Sequence, residues 1–123
     1  KRLSDSGILS KISEQGIEIH ARSIFLQGLL LMNEHSRPKQ FDRWSNLWKL
    51  WHEWLTDNQL TALEASIRYV ISISEISKVL VGVDSTDQLR DIVKATEGKL
   101  PAIPEDFFTL DTDLLNPTNW GNL

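Results

Sequence analysis

Cysteine is absent from the chain, which excludes disulfides and thiolate metal sites and is compatible with a reducing, cytoplasmic setting. Histidine is scarce: His20, His35 and His52 stand far apart with no HExxH spacing, so each is expected to be a surface or packing group, not a metal ligand. Basic residues are outnumbered, 13 Lys and Arg against 17 Asp and Glu, for a formal charge of −4. That balance and the lack of a long basic run argue against duplex nucleic acid or an anionic membrane as partner. Long apolar runs are missing too, since the stretch around Leu29 to Met32 falls far short of the roughly 20 residues a membrane helix needs. The chain begins at Lys1 and not at methionine, which suggests that the native N-terminus is missing. What remains is 123 residues, 41% hydrophobic and 24% charged, the size of one domain with its own core.

The pattern is organised around Lys78 to Val93, KVLVGVDSTDQLRDIV. Val79, Leu80, Val81 and Val83 form a β-branched apolar run of strand length, as expected of a strand covered on both faces in a parallel sheet. Gly82 interrupts it and would let a ligand or another backbone come close. A helix then starts at once. Ser85 and Gln88 form a capping box, Asp87 puts negative charge in the first turn, and Leu89, Ile92 and Val93 supply an apolar stripe. Strand, glycine and capped helix together make the local design of an anion site, because the free N–H groups of the first turn point outward with the positive end of the helix dipole. A capping box also caps its helix whether or not an anion binds.

Leu3 to Gln15 reads as a short amphipathic helix stopped by Gly16. Ile17, Ile19 and Ala21 then alternate with Glu18, His20 and Arg22, giving a strand with one apolar and one ionisable face. On a free sheet the ionisable face is simply wet; in a parallel barrel it points inward, with Arg22 nearest the functional mouth. The alternation does not choose between them. Ser23 to Met32 is expected to be an apolar loop hinged at Gly28. A helix from about Phe41 to Thr56 carries Trp44, Leu47, Trp48, Trp51 and Leu55 at steps of three and four. Those tryptophans are expected to pack against a larger body, with a partner surface as the alternative. A further helix from Thr61 to about Ser72 starts on a second capping box, Thr61 with Glu64. Past Thr96, Gly98, Pro101 and Pro104 break regular structure, and the acidic, aromatic tail reads as an extended segment that packs over something already built.

These segments carry a family resemblance. IHARSIFLQGLLL resembles the seventh barrel strand and following loop of the aldo/keto reductases, and VLVGVDSTDQLRDIV resembles their eighth strand and last helix; LLNPTNW is similar to the tail of a bacterial branch of that family. The resemblance implies an α/β chain that is the C-terminal portion of a (β/α)8 TIM barrel, its last two strands with their helices. Residues 1–97 would be the barrel segment and 98–123 a tail packing on it. It also implies an oxidoreductase that reduces aldehydes or ketones with NADPH.

Carried over by position, the resemblance puts Ser23, Ile24, Leu26, Gln27 and Gly28 on the pyrophosphate and nicotinamide, and Gly82, Asp84, Ser85, Gln88 and Asp91 around the adenosine 2′-phosphate and adenine. Arg22 stands where the family usually has a tyrosine stacked on nicotinamide, and a guanidinium plane can also stack on a ring. Val81 replaces the usual proline and Ile92 the usual asparagine. No cation for a 2′-phosphate lies between Gly82 and Gln88, and Asp84 adds negative charge, so NAD stays open beside NADP. The family's catalytic Asp, Tyr, Lys and His precede this stretch, so the implied partner is the N-terminal remainder of the barrel, acting with it on a small carbonyl substrate. The contrasting reading is a non-catalytic interaction module that uses the tryptophan-rich helix 41–56.

Overall fold

Two short strands pair in parallel, and this pairing joins parts of the chain that are almost sixty residues apart. The computed structural model describes residues 6–123, so the part of the first expected helix around Leu3 lies outside the described residues. The elements in chain order are α1 (Ile8–Glu14), β1 (His20–Ala21), α2 (Ser45–Asp57), α3 (Ala62–Ile71), β2 (Lys78–Val79), α4 (Thr86–Ala95) and α5 (Thr112–Leu115), with several 3-10 turns between them. The chain is thus helix-rich around a small two-stranded parallel sheet. It divides into two compact units, one of residues 1–24 and 63–100, the other of 25–62 and 101–123.

In the first unit, α1 ends as Gly16 predicts. Gly16 takes a left-handed φ of 71°, and the bonds from Gly16 N to Ser13 O and from Ile17 N to Ile12 O close the helix end in the arrangement that glycine at this position permits. The chain then enters β1, where His20 lies opposite Lys78 and Ala21 opposite Val79. Ser77 N and Lys78 N both donate to Ile19 O, and Leu80 N donates to Ala21 O at 2.8 Å. Both strands are shorter than their sequence patterns predict. Val79 and Val81 are half-buried, whereas Leu80, Gly82 and Val83 are exposed, so the expected cover on both faces is present on only one. A strand has regular form only where it has a neighbour to bond, and here each strand has a single neighbour for two residues.

α3 and α4 are tied by one arginine. Arg68 is buried; its Nε donates to Ala95 O at 3.0 Å, closing the C-terminal end of α4, and its Nη2 donates to Glu64 Oε1 at 2.7 Å. This satisfies a helix-end carbonyl that would otherwise lack a partner. The chain passes close to the guanidinium at Gly98, with φ at 105°, and a Cβ there would lie 3.0 Å from Arg68 Cζ, so the arginine would have to give by a few tenths of an ångström.

The second unit is built on α2. Leu29, Phe41, Trp48 and Leu114 form its core, with Leu26, Leu30, Met32, Trp44, Leu47 and Trp120 packed against them. Trp48 is 5% exposed and Leu114 2%, so the tryptophan stripe packs inward as its spacing predicts. The expected continuous helix from Phe41 is instead a 3-10 turn over Lys39–Trp44 followed by α2. At this junction Trp48 Nε1 donates to Phe41 O at 2.9 Å, taking one lone pair of a carbonyl that the first α-helical turn would also use. Trp51 stacks on Trp54 at 5.9 Å, and Phe107 meets both edge-on, a geometry that aromatic quadrupoles favour. The tail is not the extended segment its prolines suggest. It folds into a 3-10 turn over Glu105–Phe107, then α5, then a 3-10 turn over Pro117–Asn122. Asp111 accepts from Asp113 N at the start of α5 and from Trp44 Nε1, so a local cap and a distant indole order it together.

Two alanine substitutions test the glycine assignments. Gly16→Ala, with open space around its Cβ, should lower stability by about 1 kcal/mol for the left-handed backbone alone. Gly98→Ala, which also displaces the Arg68 guanidinium, should cost roughly 2–3 kcal/mol. Equilibrium urea unfolding of both variants checks the order, and equal losses would show that Arg68 yields without cost.

Candidate functional site

The candidate site in the first unit starts where the two strands leave their ladder. Arg22 follows Ala21 and Leu80 follows Val79, and the register holds Ala21 beside Val79. Arg22 is exposed and makes no ion pair among the described residues. Ser23 is exposed with φ at 57°, and Ile24 is half-buried. On the other strand Gly82 is exposed, and a Cβ built there meets nothing within 4 Å. Neither a left-handed turn nor the protein's own packing therefore demands glycine at this position, and the free space lies beside the start of α4.

The ionisable face of β1 gains a member from β2. Lys78 Nζ lies 2.6 Å from Glu18 Oε1, and His20 Nε2 lies 3.2 Å from Glu18 Oε2. Lys78 first and His20 second hold the Glu18 carboxyl below its ordinary pKa. The group is solvent-exposed, so its contribution to stability is small. Glu18 and His20 are visible in the alternation of β1, whereas Lys78 joins them only through the strand register. With Glu18 neutralising Lys78, Arg22 is the cation of this face that remains without a carboxylate partner among the described residues.

The capping box of α4 forms as its residues predict, with one difference. Ser85 is the N-cap, with extended φ of −150°, and its Oγ accepts from Gln88 N at 3.1 Å. Gln88 Oε1 accepts from the backbone N–H of Asp84 at 2.8 Å, one residue earlier than the N-cap amide that such a box usually engages. The Gln88 amide is thereby occupied. The amides of Thr86 and Asp87 remain, and they donate to no acceptor among the described residues. Asp84 and Asp91 are exposed around this turn, and Asp87 holds Arg90 at 2.6 Å. Arg90 is a cation just beyond the stretch from Gly82 to Gln88, and its three-residue spacing from Asp87 on the helix is what pairs them. The stripe on α4 is only partly used. Ile92 is half-buried and Ala95 buried, while Leu89 and Val93 are 47% and 58% exposed.

The remaining predicted residues belong to the second unit. Leu26 and Gln27 take φ of 49° and 54°, and Gly28 takes 85°. Left-handed backbone at two successive side-chain-bearing residues is uncommon and strained. Leu29 N donates to Leu26 O, and Leu30 N to Phe25 O. These bonds hold the loop in that conformation, and the buried Leu29 anchors it. Gly28 is the residue that opens the 3-10 turn Leu29–Leu31, which replaces the expected plain hinge.

Among the described residues no group of His, Asp and Glu has the arrangement of a metal site, and no helix is long and apolar enough to cross a membrane. The model of the aldo/keto reductase family matches residues 1–111. The chain belongs to that family. No curated protein and no solved structure matches it.

The cap of α4 is directly testable. Ser85→Ala removes the acceptor for Gln88 N and should cost about 1 kcal/mol. Hydrogen exchange at Gln88 and Leu89 should accelerate first. Unchanged protection there would show that the Gln88 side chain alone holds the turn.

Proposed function

We propose that this chain is the C-terminal portion of a (β/α)8 barrel and supplies the cofactor-holding end of an oxidoreductase that reduces aldehydes or ketones with NADPH or NADH. The observation that carries this reading is the parallel ladder, which sets the exit of β1 beside that of β2, directly ahead of the capped start of α4. Loops and helix starts at the C-terminal ends of parallel strands are where such folds keep their ligands. Membership in the family supports the same reading.

The residues present fit a nucleotide phosphate at the start of α4. The Thr86 and Asp87 amides and the positive end of a ten-residue helix offer donors and favourable potential. The space around Gly82 admits the ligand's approach. Ser23, Leu26 and Gln27, whose backbone is left-handed, would hold the pyrophosphate and nicotinamide side together with Ile24 and Gly28. The exposed Arg22 guanidinium would stack on the nicotinamide ring. Asp91 and Gln88 would face adenine. The bound dinucleotide supplies the hydride. Proton donation to the carbonyl oxygen requires groups outside this chain, because the family's acid/base positions have no counterpart in it.

Asp84 decides between the two cofactors. A 2′-phosphate near the Asp84 carboxylate meets repulsion, with Arg90 already engaged by Asp87. A 2′-hydroxyl meets an acceptor. Asp84→Ser in the complete enzyme should therefore raise the NADPH to NADH ratio of kcat/KM by about 1–2 kcal/mol, or roughly 5- to 30-fold. An unchanged ratio would show that Asp84 points away from the ribose.

The chain alone should show no carbonyl reduction at any pH, and its affinity for NADPH, followed through fluorescence of its five tryptophans, should be no better than about millimolar. Adding the separately produced N-terminal part of the same protein should restore binding and turnover of an aldehyde such as 4-nitrobenzaldehyde. Turnover by the purified chain alone would overturn the assignment of the acid/base groups to that part.

A further inference from the structure

Independently of any cofactor, the second unit holds a buried cation whose partner is a histidine. Arg37 is 9% exposed and sits just past the 3-10 turn Glu34–Ser36. Its Cζ lies 4.3 Å from the centre of the Trp48 ring. Its Nη2 donates to Met32 O at 3.1 Å and lies 3.0 Å from His52 Nε2 on α2. Its Nε is buried without a partner. Arg37 makes no ion pair among the described residues; the carboxylates of Glu34 and Asp42 act on it only through their fields.

A guanidinium has donors and no acceptor, and it stays charged at any ordinary pH. His52 Nε2 therefore accepts, which requires the neutral ring with its proton on Nδ1. We propose that His52 is an acid-sensitive latch: protonation of its Nε2 sets donor against donor and releases Arg37, together with the segment from Met32 to Arg37, from α2.

Each neighbour bears on that step. Nη2 has two hydrogens, one for Met32 O and one for His52, so the new proton finds no lone pair to meet. Trp48 covers the guanidinium and keeps solvent from screening the two cations. On α2 itself, Lys49 and Glu53 pair with each other at 3.8 Å, and the His52 carbonyl accepts from Thr56 Oγ1. Glu34 alone favours the charged ring. Burial first, and the Arg37 charge second, hold His52 below its ordinary value of 6.5 against that pull. A histidine depressed in the folded state binds protons more readily once released. The latch is therefore fully closed above the ordinary histidine range and opens as the pH falls below it.

Hydrogen exchange across residues 33–37 of the full chain, corrected for intrinsic rates, tests this. Between pH 7.5 and 5.0 the corrected rates should rise severalfold, in the direction that a lowered folded-state pKa requires. His52→Gln keeps an acceptor but cannot be protonated, and its corrected rates should stay flat; His35→Gln should behave as the unaltered chain. Nitrogen-15 shifts of the His52 ring at pH 7.5 should show the Nδ1–H tautomer, a readout that stands even if His52→Gln does not fold. Flat rates in the unaltered chain, the same rise in His52→Gln, loss of the rise in His35→Gln, or an Nε2–H tautomer would each overturn the proposal.

Discussion

The parallel pairing of β1 with β2 is the constraint on which the first unit depends. Its backbone bonds, from Ser77 and Lys78 to Ile19 and from Leu80 to Ala21, are few. They nevertheless bring two separate strand exits to one edge, and a parallel pair can be joined only by a long crossover. In this chain the crossover runs through the whole of α2 and α3. The same register places Lys78 beside Glu18 and His20, so the charged face of the sheet is a product of pairing and not of either strand alone. The sheet also leaves backbone groups and apolar side chains such as Leu80 without cover, the condition in which further strands add to a sheet.

At the start of α4 two electrostatic influences oppose each other. The helix dipole and the free amides of its first turn favour an anion, whereas Asp84 and Asp87 put negative charge at the same end. Aspartates there stabilise the empty helix through the same dipole. A bound phosphate therefore has to compete with charges that already make use of it, and a ligand with fewer charges competes better. Arg90 pairs with Asp87 beside this turn in an exposed contact that solvent screens.

The second unit owes its order to tryptophan. Trp48 fills the core, gives its N–H to Phe41 O, and lies under the Arg37 guanidinium. One side chain thus joins the start of α2 to the bend before it and covers the guanidinium that meets His52. Trp44 and Trp54 repeat the device by donating to Asp111 and to Ala102 O, which draws residues of the tail into the same body.

Much of the candidate site is legible in the sequence, because its signals are local. Ser85 and Gln88 cap a helix through neighbours three residues apart, Gly16 closes α1 through its own φ, and the steps of three and four in the tryptophan stripe give the buried face of α2. Family membership is legible for the same reason, being carried by contiguous motifs. What the tertiary structure alone decided involves partners distant in the chain: Lys78 joining Glu18, Arg68 closing α4 and crowding Gly98, and Trp44 ordering Asp111. The expected helix from Phe41 gave way to a 3-10 turn, and Arg37 lies against His52 across fifteen residues of sequence, a contact that local propensity does not record. Local pattern records which bonds a residue can make; only packing decides which of them are made.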